Sequence, residues 1–213
     1  MASGLPFNEP KFKGYLSGGL PPQRNATLNA FKLARNIYLC YFSQPVADRA
    51  LYRLLRKQPV QSIVEVGIGT LGRTRRLLEV ATQRTAPTDI KYAGIDLFEA
   101  RDAARAGVGL KQAHKELKPL VGKLQLIPGD VFSGLARSAN SLTKTDLLVI
   151  SADADTDVLV KAWFYVPRML HEGSLVLLEE AGSKPGETHF RTLTRLEIEQ
   201  FASSAARSMR RAA

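Results

Sequence analysis

The sequence predicts a doubly wound α/β domain, three layers deep, around a mostly parallel sheet. Three observations predict it. Short apolar, β-branched segments alternate with helical stretches from residue 59 onward, the pattern of βαβ units. Those strand segments are apolar along nearly their whole length, as strands covered by helices on both faces must be. The first strand also runs into a glycine-rich loop that opens a helix, Glu65-Val66-Gly67-Ile68-Gly69-Thr70-Leu71-Gly72. The 213 residues suit a single domain. A basic leader with helices is expected over 1–58, an α/β core over 59–182, and a C-terminal helix and tail over 183–213.

The elements follow in order. Four prolines (Pro6, Pro10, Pro21, Pro22) and four glycines (Gly4, Gly14, Gly18, Gly19) make residues 1–23 loop or extended chain. From Asn25 the apolar Leu28, Phe31, Leu33, Ala34, Ile37, Tyr38 and Tyr41 recur at helical spacing. A second helix is expected over Pro45–Arg56, stopped at Gln58-Pro59. Then the period changes. Strands are expected over Ser62–Val66, Lys91–Ile95, Leu124–Ile127, Asp146–Ser151 and Ser174–Leu178. Helices are expected over Thr74–Thr82, Ala100–Leu120, Asp157–Leu170 and Leu193–Ala206. Only 33 residues follow Glu180, and most read as loop plus helix. The sheet is therefore expected to end short, its C-terminal hairpin reduced or absent.

Composition excludes several classes. The longest apolar runs, such as Leu175–Leu178, fall far short of the roughly 18 residues of a membrane span. The N-terminus lacks the basic-then-apolar order of a secretory signal. The lone Cys40 sits in an apolar helical stretch and reads as a buried core thiol. A cytoplasmic protein is expected. The net charge is +10, of which residues 1–58 carry +7. Such an excess suits an acidic small-molecule acceptor, or a solvated helix surface. Nucleic acid is not favoured, because no basic run is interleaved with aromatics. A homodimer is compatible with the sequence.

In a doubly wound sheet, ligands bind at the carboxyl ends of the strands. That rule selects Glu65–Gly72, Asp96–Glu99, Gly129–Val131, Ser151–Asp155 and Glu179–Glu180. All five of these ends carry an acid. The loop glycines match the dinucleotide pattern, with Asp96 lying 24 residues past Gly72. Glu65 separates the ligands. A dinucleotide sets its pyrophosphate against this loop, where a carboxylate opposes it. S-adenosylmethionine has no phosphate, and its ammonium and sulfonium attract carboxylates. The alternative for Glu65 is a cap on the loop's own N–H groups.

In order and spacing, Glu65–Gly72, Gly94-Ile95-Asp96, Pro128-Gly129-Asp130-Val131, Asp146–Ser151 and His171–Leu178 resemble the class I S-adenosylmethionine-dependent methyltransferases, over residues 45–180 or so. The resemblance implies a Rossmann-like methyltransferase fold. It implies that Glu65, Gly67 and Gly69 line the methionine end of the cofactor and that Asp96 holds the ribose hydroxyls, with Leu97 beside the adenine. It places Asp130, after Gly129, at the adenine amino group, with Val131 near the ring and Ser151 near the reacting centre. For Asp130 a turn or helix cap is the competing reading. The family's third glycine is replaced by Leu71.

Within the family the nearest look is to metal-dependent catechol-type O-methyltransferases, through Ser151-Ala152-Asp153-Ala154-Asp155 and Glu179-Glu180. That branch's first metal-binding Asp falls on Ser151 and its Asp-Asn pair on Glu179-Glu180, so no metal is expected. The acids Asp153, Asp155 and Asp157 also suit a helix N-terminus. Asp153 and Glu179 are the candidate bases for an O-directed transfer. Two alternatives stand beside a methyltransferase of unknown acceptor. One is an NAD(P)-dependent oxidoreductase; the other is a non-catalytic S-adenosylmethionine-binding protein.

Overall fold

Alternation along the strands builds the molecule. In the computed structural model, which describes residues 23–184 and 186–211, six strands form one sheet. They are β1 (Ser62–Val66), β2 (Lys91–Asp96), β3 (Lys123–Pro128), β4 (Thr145–Ile150), β5 (Leu170–Ala181) and β6 (Thr188–Leu193). Their order is β3-β2-β1-β4-β5-β6, with β6 alone antiparallel. The order reverses between β1 and β4, which is where the rule of open sheets puts a ligand crevice.

Seven α-helices accompany the strands among the described residues: α1 (Gln23–Tyr41), α2 (Asp48–Lys57), α3 (Gly72–Ala81), α4 (Leu110–Leu117), α5 (Val131–Ser138), α6 (Thr156–Ala162) and α7 (Arg195–Arg211). Among the described residues, 36–211 form one compact unit and 23–35 belong to another. Within the larger unit, Ile63, Tyr92, Leu147 and Leu177 face one way and pack on Leu51, Leu55, Leu77 and Leu117 of α2, α3 and α4. Val64, Ala93, Leu148 and Val176 face the other way and pack on Leu135, Ala162, Ile198 and Ala205 of α5, α6 and α7. Two apolar layers thus sandwich the sheet. Cys40 is fully buried. Among the described residues no helix is long and apolar enough to cross a membrane.

The structure corrects the sequence reading in four places. Residues 188–193 form β6 rather than loop, and β5 runs on to Ala181 to meet it, with Ala181 opposite Thr188. The hairpin is reduced to this one returning strand. Residues 131–138 form α5, which was not expected. It is started by Asp130, whose side chain accepts from the Ser133 N–H, and Val131 and Leu135 anchor it in the core. Residues 101–109 are not helical; α4 begins only after Gly107 and Gly109, residues poorly suited to a helix interior. Finally, α6 stops at Ala162, and a 3₁₀ turn containing Pro167 takes over at Val166–Met169. The expected loop over residues 1–23 falls almost wholly outside the described residues.

Asp130 yields a direct test. Burial opposes its charge, but bonds from Ser133 hold its carboxyl below the ordinary carboxylate range. Asp130→Ala is expected to cost about 1 kcal/mol, the scale of a lost N-cap. The urea midpoint should fall at unchanged slope. Because the folded pKa is depressed, the carboxylate's contribution is full at neutral pH and fades as pH falls through the folded value. The gap between wild type and variant should narrow in acid.

Candidate functional site

The end of β1 and the loop after it are tied to both neighbouring strands. The Gly67 N–H donates to the Ile95 carbonyl at 2.9 Å, and the Ser151 N–H to the Val66 carbonyl at 2.9 Å. Gly67 has φ +80°, and a Cβ there would lie 2.8 Å from the Ser151 Cβ, so only glycine fits between β1 and β4. Gly69 has φ +56°, and a Cβ built on it meets nothing within 4 Å. The loop therefore presents bare backbone to open space. Leu71, standing where the resembling family has glycine, adopts the left-handed region at φ 67° and is fully buried. That conformation costs a non-glycine residue about 1–2 kcal/mol, and burial of its side chain holds it there.

Behind the loop lies a buried ionic cluster. Glu65 is 1% exposed, and its Oε2 accepts from Thr74 Oγ1 and Tyr92 Oη, both at 2.8 Å. Its Oε1 is buried with no hydrogen-bond donor; the nearest cation is Arg73 Nε at 3.6 Å. Arg73 gives Nη1 to Glu179 at 2.7 Å and Nη2 to Ser151 Oγ at 3.3 Å. Its Nε lies 3.9 Å from Asp48, and its guanidinium stands over the Phe190 ring. Glu179 also accepts from Thr188 Oγ1, the Ala152 N–H and Ser151 Oγ.

Three carboxylates thus surround one guanidinium. Burial pushes Glu65 and Asp48 up from the ordinary carboxylate range, against the pull of Arg73. Burial also acts on Glu179, but Arg73 and the bonds it accepts hold that group below the ordinary range. Burial disfavours the charge on Arg73, yet Glu65 and Glu179 outweigh it and raise its pKa.

The second centre is Asp96, 5% exposed at the end of β2. Its Oδ2 accepts from the Gly69 N–H at 3.1 Å, so the acid is clamped to the loop. Its Oδ1 accepts from the Phe98 N–H at 2.9 Å and from the Arg101 guanidinium. Leu97 is partly exposed beside it, and the Gly129 N–H donates to the Asp96 carbonyl at 2.8 Å. Asp130 is occupied by Ser133 of its own helix, and Val131 points into the core. Asp153 is exposed past β4, and its carboxylate makes no hydrogen bond or ion pair among the described residues. Asp155 caps α6 through the Asp157 and Val158 N–H groups. Among the described residues no group of three His, Cys, Asp or Glu is placed to hold a metal.

The structure therefore gathers Glu65, Gly67, Ser151 and Glu179 around one centre, and Gly69 and Asp96 around another. Sequence reasoning missed Asp48, Arg73, Thr74, Tyr92 and Arg101. Arg73 left a trace: a cation in the first turn of a helix opposes the helix dipole and calls for acidic partners elsewhere. Tyr92 and Asp48 left none.

No family model and no curated protein matches the chain. Solved structures do. A methyltransferase from Geobacter sulfurreducens is 21% identical, with a TM-score of 0.41, the match covering 76% of this chain and 72% of that one. An O-methyltransferase family protein from Burkholderia thailandensis is 13% identical, TM-score 0.46, covering 86% and 56%. The trans-methyltransferase CalH, in complex with SAH, is 16% identical, TM-score 0.48, covering 86% and 44%. The chain spans about half the length of the last two.

Proposed function

We propose that this chain is an S-adenosylmethionine-dependent methyltransferase. The Glu65 carboxylate carries the reading. It is buried near the end of β1, two residues before the first loop glycine, with one oxygen lacking a donor. A buried acceptor without a donor is costly, and an ammonium supplies what it lacks. Glu65, Asp48 and Glu179 exceed the charge of Arg73, which suits a cationic ligand and repels a pyrophosphate. Asp96 fits the ribose, since a carboxylate offers about four lone-pair sites and three are taken here. When bound, the cofactor supplies a methyl group on a sulfonium.

The chain's own residues do the rest. Glu65, Gly67 and Gly69 seat the amino-acid end, and Ser151 lines the floor between β1 and β4. Asp96 holds the ribose, and the exposed part of Leu97 lies beside the adenine. Asp130, with its carboxylate turned to Ser133, reaches the adenine amino group through its remaining acceptor capacity. For a hydroxyl acceptor, Asp153 takes the proton, since it is exposed and its carboxylate accepts no hydrogen bond among the described residues. Glu179 stays ionised and orients Arg73. The basic excess of residues 1–58 supports an acidic acceptor.

Calorimetry with S-adenosylmethionine, S-adenosylhomocysteine and NADH, run side by side, tests the reading. Both sulfur ligands should bind and NADH should not. Glu65→Gln, which keeps the acceptor for Thr74 and Tyr92 but removes the charge, should weaken S-adenosylmethionine. Binding of NADH in place of the sulfur ligands would replace this reading with the oxidoreductase one.

A further inference from the structure

The chain after β2 does not lead straight into α4. Phe98, buried with φ +49°, turns its N–H onto Asp96 Oδ1. Residues 101–109 then pass back across the glycine loop without regular structure. Three bonds pin this strap. The Val108 N–H donates to the Gly69 carbonyl at 3.1 Å. Arg105 Nη1 donates to the Asp153 carbonyl at 3.4 Å, and the Leu110 N–H to Glu99 Oε1 at 2.8 Å. The strap therefore joins the ends of β2 and β4 over the crevice.

Arg101 is seated inside it. One guanidinium nitrogen pairs with Asp96 Oδ1, and the other donates to the Ala106 carbonyl at 3.1 Å. The pair is little exposed, 11% for the Arg101 side chain and 2% for Asp96. The guanidinium rests on the bare Cα of Gly107: a Cβ there would stand 1.0 Å from Arg101 Nη1 and 2.2 Å from Cζ.

We propose that Arg101 is an internal competitor for Asp96 and sets the affinity of the crevice for any ligand that offers it a hydroxyl pair. A vicinal diol engages both carboxylate oxygens, one hydroxyl on each. Oδ2 has a lone pair to spare, but Oδ1 already serves Phe98 and Arg101. The Phe98 N–H is fixed by backbone, so Arg101 is the group that yields. Its exit also unfastens the strap from Asp96. This inference rests on reading the crevice as the cofactor site.

Two variants unseat the guanidinium by different routes. Arg101→Gln removes it. Gly107→Ala fills its seat and leaves Arg101 in place, at a position whose φ lies outside the left-handed region. In the ligand-free protein, limited trypsin digestion followed by peptide mass spectrometry should show faster cleavage after Arg105 in both variants. Calorimetry with S-adenosylhomocysteine should show both binding about tenfold tighter than wild type, the scale of one hydrogen bond to a charged group. Unchanged or weaker binding in both variants, with wild type still binding, overturns the competition and leaves the cofactor reading standing. No binding by wild type or either variant overturns the cofactor reading and the competition with it, and the cleavage pattern then reports the strap alone.

Discussion

Replacing Arg73 by alanine is expected to destabilise the fold by about 3–5 kcal/mol, the range seen when one partner of a buried ion pair is removed. The value sits high for a single residue because Arg73 serves three acids. Its side chain is 18% exposed, Glu65 1%, Asp48 4% and Glu179 9%. Without the guanidinium, these carboxylates face one another across a dry space.

The pH dependence has a definite sign. Glu65 and Asp48 already stand above the ordinary carboxylate range through burial, and loss of the cation raises them further and lifts Glu179 from its depressed value. Stability is then retained at acid pH, where the acids hold their protons, and lost as pH rises through the folded values. Urea denaturation of Arg73→Ala at acid and neutral pH checks this: the deficit should be larger at neutral pH. A deficit below about 1 kcal/mol at both, the worth of a surface pair, would show that the cluster is solvated rather than buried.

Asp96→Ala is expected to weaken S-adenosylmethionine by about 1.5–3 kcal/mol, or roughly 10- to 150-fold. Two effects reach the same readout. The variant removes the acceptor proposed for the ribose, and it also frees the Gly69 and Phe98 N–H groups. Asp96→Asn separates them in part, since its one carbonyl oxygen can still accept from one of the two N–H groups while the charge is gone. Calorimetry should rank wild type above Asn above Ala. Wild-type affinity in Asp96→Ala would remove Asp96 from the cofactor site, and with it the competition assigned to Arg101.

The β1–loop–α3 unit was legible because its signals are local. A β-branched run must be extended, and the glycines at 67 and 69 mark where backbone turns into the left-handed region. An acid at the end of the next strand then falls beside the loop by topology alone. Asp96 donates nothing to that inference beyond its position, and the structure puts it 3.1 Å from the Gly69 nitrogen. The strand cores of β1 to β4 were read to within about a residue for the same reason, since a buried parallel strand shows its burial in its own composition.

Local pattern failed where a segment's structure depends on a distant partner. Residues 188–193 carry threonines, a histidine and an arginine, a weak strand pattern on their own. Their pairing with the far end of β5 makes them a strand. Helix α5 is only 8 residues long, too short to stand on propensity, and exists because Asp130 caps it and the sheet buries its apolar face.

The site divides along the same line. By itself the sequence determined the fold class, the glycine loop, and the placing of Glu65 and Asp96 at neighbouring strand ends, because each follows from periodicity and chain order. Only the tertiary structure decided what those acids touch. Arg73 meets Glu179 across 106 positions, and Tyr92 meets Glu65 across 27. Arg101 reaches Asp96 only because Gly107 leaves room for it. Ion pairing and close packing act through space, and the order of residues carries no record of which side chains the sheet will bring within a few ångströms.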